Sequence, residues 1–131
     1  FQICKVYHGQ GTCVFKDGHE YKGELKHGLL NGKGTFKWTD GTTYKGEFRD
    51  NEITGKGSYH WADSSSYKGQ VLNGLRHGTG TYNNPKEGVE YEGEWIGGMR
   101  DGHGQLRYKN GSVYDGLWQN GMKWGQGKMT Y

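Results

Sequence analysis

One pattern, Tyr-x-Gly-x-hydrophobe, returns five times along this chain: Tyr21-Lys22-Gly23-Glu24-Leu25, Tyr44-Lys45-Gly46-Glu47-Phe48, Tyr67-Lys68-Gly69-Gln70-Val71, Tyr91-Glu92-Gly93-Glu94-Trp95 and Tyr114-Asp115-Gly116-Leu117-Trp118. Successive tyrosines stand 23, 23, 24 and 23 residues apart. A Gly-x-Gly marker keeps the same beat, from Gly9/Gly11 and Gly32/Gly34 through Gly125/Gly127. A period of this length belongs to a stacked supersecondary unit too small to bury its own apolar face, so neighbouring copies must share a core. Function is then expected on an extended surface rather than in one pocket.

Composition selects the kind of unit. Glycine supplies 26 residues and Ala62 is the only alanine, a balance that penalises helix interiors and favours strands. Only 31% of the 131 residues are hydrophobic, thin for a two-layer core, yet 15% are aromatic and evenly spaced, which a disordered tract lacks. The net charge of +3 comes from well-mixed signs, without the basic run of a nucleic-acid arm. No apolar run approaches the ~18 residues of a membrane-spanning helix, and no signal peptide is evident. Cys4 and Cys13 form no metal or redox motif and read as reduced thiols of an intracellular protein.

Alternation around Asp40-Gly41 predicts a β-hairpin in each repeat. A three-residue loop over Asp40–Thr42, with Gly41 at positive φ, pairs Trp38 with Tyr44, Phe36 with Gly46 and Gly34 with Phe48. The same arithmetic pairs Phe15 with Tyr21, Trp61 with Tyr67, and Tyr108 with Tyr114, and places every apolar side chain on one face, large rings opposite glycines. Lys22, Glu24, Lys37, Lys45, Glu47 and Lys68 fall on the other, wetted face. Segments such as Lys26–Asn31 and Asn73–His77 read as connecting turns with apolar anchors at Leu29, Leu30, Ile53, Leu75, Met99 and Met122. Asn84 stands where other repeats carry Phe15, Trp38, Trp61 or Tyr108, and reads as drift in an exposed turn; the alternative is a polar notch that fixes a partner's register.

The predicted fold is all-β, an elongated single-layer twisted antiparallel β-hairpin solenoid. Its repeat cores lie near 9–25, 32–48, 55–71, 78–95 and 102–118, with a partial copy at 125–131, about five and a half copies in one domain over 1–131. Phe1 falls in register with Glu24, inside a repeat, so the chain reads as a segment excised from a longer array.

The unit Tyr-x-Gly-Glu-Trp/Phe, followed by Asn-Gly-x-Gly-Thr-Phe and Asp-Gly, resembles the MORN (membrane occupation and recognition nexus) repeat; Tyr91–Trp95 and Asn31–Phe36 carry the likeness. The resemblance implies a scaffold family that includes ciliary, membrane-junction and cytoskeletal proteins. Asn51–Gly57 and Tyr67–Gly78 look most like radial-spoke-head members of the ciliary axoneme, which implies a cytoplasmic, cytoskeletal location.

Catalysis finds little support. The histidines are scattered, and His8 and His77, at equivalent repeat positions, are too far apart to share a metal. Gly32-Lys33-Gly34-Thr35 precedes a strand rather than the helix of a phosphate loop. Asn110-Gly111-Ser112 matches a glycosylation acceptor but coincides with a hairpin turn. Neither cofactor nor metal nor nucleic acid is expected. The aromatics are expected to bind a protein partner, a helix, a peptide or another such array, with self-association open: Phe36, Trp38, Tyr59, Trp61, Tyr82 and Tyr108 line a groove and Tyr44, Tyr67, Tyr91 and Tyr114 face them. The alternative is a membrane-associated module in which Lys22, Lys37, Lys45 and Lys68 bind anionic phospholipid headgroups.

Overall fold

The computed structural model describes residues 2–5 and 9–131; the readings that involve Phe1 and His8 lie outside them. Twelve strands form one sheet: β1 (Gln2–Cys4), β2 (Gly9–Phe15), β3 (Glu20–Lys26), β4 (Leu29–Lys37), β5 (Thr43–Arg49), β6 (Glu52–His60), β7 (Ser66–Leu72), β8 (Leu75–Asn84), β9 (Val89–Ile96), β10 (Met99–Arg107), β11 (Val113–Gln119) and β12 (Met122–Thr130). Each pairs antiparallel with its neighbours in the sequence, so the sheet is a continuous meander. There is no helix among the described residues.

Two turns alternate along it. From β3 onward odd strands pass to even ones through two-residue turns, His27-Gly28, Asp50-Asn51, Asn73-Gly74, Gly97-Gly98 and Asn120-Gly121, with both residues at positive φ. This is the type I′ geometry, whose twist matches the sheet. Even strands pass to odd ones through three-residue loops, except that residues 85–88 make a four-residue loop between β8 and β9. At Thr39–Gly41 the Trp38 amide donates to the Thr42 carbonyl at 2.9 Å, the Gly41 amide to the Trp38 carbonyl at 3.2 Å and the Thr42 amide to Asp40 Oδ1 at 2.8 Å.

These turns correct the expected register by two residues. In a three-residue loop the positive-φ residue comes last, after a type I turn, so Gly41 closes the loop instead of occupying its middle. Phe36 therefore pairs with Tyr44, Gly34 with Gly46 and Gly32 with Phe48; the expected pairs of Phe36 with Gly46 and Trp38 with Tyr44 do not form. The same shift pairs Cys13 with Tyr21, Tyr59 with Tyr67, and Leu106 with Tyr114. A slip of two preserves which face each side chain occupies, so the one-sided apolar pattern survives.

In the true register glycine faces glycine. Gly11, Gly23, Gly34, Gly46, Gly57, Gly69, Gly80, Gly93, Gly104, Gly116 and Gly127 form one column from β2 to β12. The repeat tyrosines lie down in the space it leaves. Each hydroxyl donates to the carbonyl three residues on: Tyr21 to Glu24 at 2.7 Å, Tyr44 to Glu47 at 3.1 Å, Tyr67 to Gln70 at 2.6 Å, Tyr91 to Glu94 at 2.9 Å and Tyr114 to Leu117 at 3.2 Å. Leu25, Phe48, Val71, Trp95 and Trp118 close over the rings from the far side of the column. The Tyr44–Phe48, Tyr91–Trp95 and Tyr114–Trp118 pairs meet edge to face at 5.3, 4.9 and 5.3 Å, worth about 0.5–1.5 kcal/mol each beyond area burial.

Beyond the glycine column β4, β6, β8, β10 and β12 each carry a bulge. Gly32, Gly55, Gly78 and Gly102 have positive φ, and the amide that follows each one turns to a side chain of the preceding strand. Lys33 donates to Glu24, Lys56 to Glu47, Thr79 to Gln70 and His103 to Glu94. The fourth residue of the repeat motif therefore satisfies a bulge, a role hidden while these residues read only as solvated charges.

Three further readings are corrected. Cys4 and Cys13 form a disulfide rather than free thiols, because β1–β2 pairing places them directly opposite with Cα atoms 4.0 Å apart. Asn84 is buried, its amide donating to Tyr82 Oη and Glu87 and its carbonyl accepting the Glu87 amide, so it organises its own turn. Apart from their two-residue turns the connecting segments are strand, and their apolar anchors split: Leu30 and Ile53 pack into the core, while Leu75, Met99 and Met122 are exposed on the opposite face. In the last three repeats Arg76, Arg100 and Lys123 take the core-facing position instead.

Candidate functional site

The ten aromatic residues expected to form a groove divide by depth. Tyr44, Tyr59, Tyr67, Tyr91 and Tyr114 are buried, the most exposed of them at 7%. Phe36, Trp38, Trp61, Tyr82 and Tyr108 are half-buried against them. Burial pushes the hydroxyls of Tyr21, Tyr59, Tyr67 and Tyr91 up to about 12, and raises Tyr44 likewise. Neutral, hydrogen-bonded and covered, these tyrosines make a floor.

On that floor stands a ladder of rings. Phe15 meets Phe36 at 5.3 Å, Phe36 meets Trp38 at 4.6 Å, Trp38 meets Tyr59 at 6.1 Å, and Tyr59 and Trp61 stack nearly parallel at 5.3 Å. Trp61 then meets Tyr82 at 6.1 Å and Tyr82 meets Trp95 at 6.4 Å. Its half-buried rungs stop at Asn84, and buried rings carry the contacts on from Trp95 to Tyr91 at 4.9 Å and from Tyr91 to Trp118 at 5.4 Å. Tyr108, on the far side of Asn84, makes no ring–ring contact among the described residues; the Lys123 ammonium sits 5.1 Å from its centroid instead.

Three cations lie within this aromatic face. The Arg76 guanidinium stands 4.7 Å from the Trp95 centroid, 5.5 Å from Trp61 and 5.6 Å from Tyr82, and donates to the Gly98 carbonyl at 2.8 Å. Arg100 repeats the arrangement at 4.7 Å over Trp118 and 5.6 Å over Tyr91. Lys123 lies 4.8 Å from Tyr114. Burial lowers the Arg76 pKa, and Arg100 adds to the effect. The ion pairs among the described residues are His103–Asp115, Arg107–Glu90 and Arg107–Glu92, so none of the three cations has a carboxylate partner. Sequence reading missed them because their neighbours Leu75 and Met99 looked like the anchors; the signal was the position itself, one repeat apart from Leu30 and Ile53.

The opposite face carries a second feature. A trough of about 800 Å³ runs along the glycine column, walled by Lys22, Lys33, Lys45, Lys56 and Lys68 with Glu47 among them. Lys22, Lys45 and Lys68 were expected there, Lys33 and Lys56 were not, and Lys37 lies outside it. In the fourth and fifth repeats the position of Lys22, Lys45 and Lys68 is taken by Glu92 and Asp115, so the basic stretch is confined to the first three.

No curated protein matches the chain. The sequence profile of the MORN repeat matches it six times, over residues 5–20, 21–43, 44–66, 67–88, 91–113 and 114–131, nearly its whole length. The expected five and a half copies are therefore six, the first and last shorter than the rest.

Proposed function

Because the chain belongs to the MORN-repeat family, whose repeats serve as protein or membrane interaction modules, we infer that it is a non-enzymatic protein-interaction scaffold. The partner lies on the half-buried ring ladder, as a helix, a peptide or another such array. One observation carries this reading: the rings from Phe36 to Tyr82 form a contiguous, partly exposed aromatic surface on a rigid floor with no second layer over it. Aromatic patches of this kind supply the hot spots of interfaces. The resemblance of Asn51–Gly57 and Tyr67–Gly78 to radial-spoke-head proteins supports placing the scaffold in the cytoplasm, in a ciliary axoneme or another cytoskeletal assembly.

The lysine trough favours a second reading, binding of anionic phospholipid headgroups, since five lysines line it and none is in an ion pair among the described residues. Two assays separate the readings. Affinity capture from ciliated-cell extract should lose its partners with Trp38→Ala/Trp61→Ala and keep them with Lys22→Gln/Lys45→Gln/Lys68→Gln, while vesicle flotation at physiological salt should show no binding. Flotation abolished by the lysine variant, with capture unchanged by the tryptophan variant, would establish the lipid reading instead. The location carries its own test, because disulfides persist mainly in oxidising compartments. Alkylation trapping in cells decides it: a Cys4–Cys13 pair that is oxidised, as the disulfide of the structure has it, would argue against a cytoplasmic placement, and a reduced pair would favour one.

A further inference from the structure

One column of the aromatic face changes character along the sheet. At the same repeat position stand Leu30, Ile53, Arg76, Arg100 and Lys123, opposite Leu25, Phe48, Val71, Trp95 and Trp118. The first two continue the core; the last three lay cations over rings without a carboxylate to answer them. Arg76 and Arg100 are half-buried and Lys123 is exposed; cations favour anionic partners, and guanidiniums held in place by ring stacking lose less entropy on pairing.

Spacing identifies the kind of partner. Successive members of the column are two strands apart, about 9.6 Å for a ~4.8 Å strand separation. A helix rises about 10.5 Å in seven residues and returns a side chain to nearly the same face. An extended peptide covers a similar distance in about three residues, but residues three apart point to opposite faces. Of the α-helix and the β-strand, the helix is the one that can answer each cation in turn.

We propose that the ligand of the aromatic face is an acidic amphipathic helix that sets Asp or Glu side chains, seven residues apart, on Arg76, Arg100 and Lys123, and continues with apolar residues toward Ile53 and Leu30. This rests on the aromatic face being the binding surface and adds the partner's chemistry, secondary structure and direction. The carboxylates lie over Arg76, Arg100 and Lys123 and the apolar end over Ile53 and Leu30.

The test is a fluorescence anisotropy titration with designed helical peptides that share one apolar stripe. One carries three glutamates seven residues apart, the second has glutamines in their place, and the third carries the glutamates five residues apart. On the wild-type protein the first should bind about 30-fold more tightly than the second, each pair contributing about threefold as for partly exposed ion pairs, and more tightly than the third. The preference should vanish in Arg76→Leu/Arg100→Leu/Lys123→Leu, which copies the residue type of the first two repeats, and persist in Arg76→Lys/Arg100→Lys, which keeps the charge if the leucine variant does not fold. Equal binding of all three peptides to the wild type would overturn the proposal, as would a preference unchanged in a folded leucine variant. If Trp61→Ala weakens all three peptides alike and the wild type shows no glutamate preference, the ring ladder stands as the binding surface and the acidic helix falls. If the glutamate preference holds but Trp61→Ala leaves every affinity unchanged, the cations are supported and the ladder falls.

Discussion

Ser64 occupies the third loop position between β6 and β7 at φ 74°, where the equivalent loops carry Gly18, Gly41 and Gly111. An L-residue held in the left-handed region costs about 1–2 kcal/mol. Ser64→Gly should therefore stabilise the protein by about 1 kcal/mol and raise its melting temperature by about 3–5 °C, read in thermal melts. The glycine column makes the opposite prediction. A Cβ on Gly46 would lie 2.5 Å from the Gly57 Cα and 2.6 Å from both the Lys56 carbonyl and Tyr44 Oη, two of them backbone atoms that cannot step aside. Gly46→Val should cost at least the ~1–3 kcal/mol typical of overpacking, whereas Lys45→Ala, on the exposed face, should change stability by less than about 0.5 kcal/mol. Denaturant melts of the two variants decide it, and equal losses would refute the column. The need for glycine at position 46 was legible in the sequence, but its reason was not. A periodic pattern fixes which face a residue occupies without fixing its partner, so the clash expected with Phe36 is in fact with Gly57.

At the scale of the strand pair, the repeat is two unlike hairpins rather than one hairpin and a linker. Sequence exposed the Asp-Gly loops because their residues are the usual ones for turns. It concealed the type I′ turns because Leu29, Leu75, Met99 and Met122 follow them directly and Ile53 follows one residue later, and apolar residues in a short polar stretch read as anchors. With those segments taken as linkers, Arg76, Arg100 and Lys123 had no assigned face and stayed outside the expected site. The bulge was hidden for a different reason, since a hydrogen bond from a backbone amide to Glu24 or Glu47 leaves no trace in spacing. It does leave one in an exception. The fifth repeat has Leu117 where the others have Glu24, Glu47, Gln70 and Glu94, and no side chain caps the amide after Gly125. Leu117→Glu should supply that acceptor and stabilise β12 by about 1 kcal/mol, in line with a typical hydrogen bond. Hydrogen exchange should show slower exchange at Gln126 in the variant; unchanged protection there would contradict the role assigned to these carboxylates.

The whole molecule is a single apolar layer floored by tyrosines whose hydroxyls are kept neutral, and this gives it a pH limit. Tyr21, Tyr59, Tyr67 and Tyr91 are raised to about 12 in the folded chain by burial, against about 10 when unfolded. Their contribution to stability is intact below pH ~10 and is lost as the pH rises toward 12, because only the unfolded chain gains by ionising. Each such tyrosine can remove up to about 1.4 kcal/mol per pH unit in that window. Urea midpoints should hold steady to about pH 9.5 and then fall steeply, with tyrosinate absorbance rising together with unfolding. Overall architecture was the most legible level, because the 23-residue beat, the glycine content and the one-sided rings all point to stacked hairpins. The division of the aromatics into floor and ladder was the least legible, since Tyr59 and Tyr82 hold the same repeat position, yet Tyr59 is buried and Tyr82 half-buried. That division is the central claim, and its most direct test is a titration of one captured protein partner against three purified, folded proteins. The account predicts that Trp61→Ala weakens the complex about 30-fold or more, the loss typical of a central aromatic hot spot, while Lys22→Gln/Lys45→Gln/Lys68→Gln weakens it less than about threefold, as for rim charges. A complex that tolerates the loss of Trp61 but dissociates when the lysines are neutralised would contradict it.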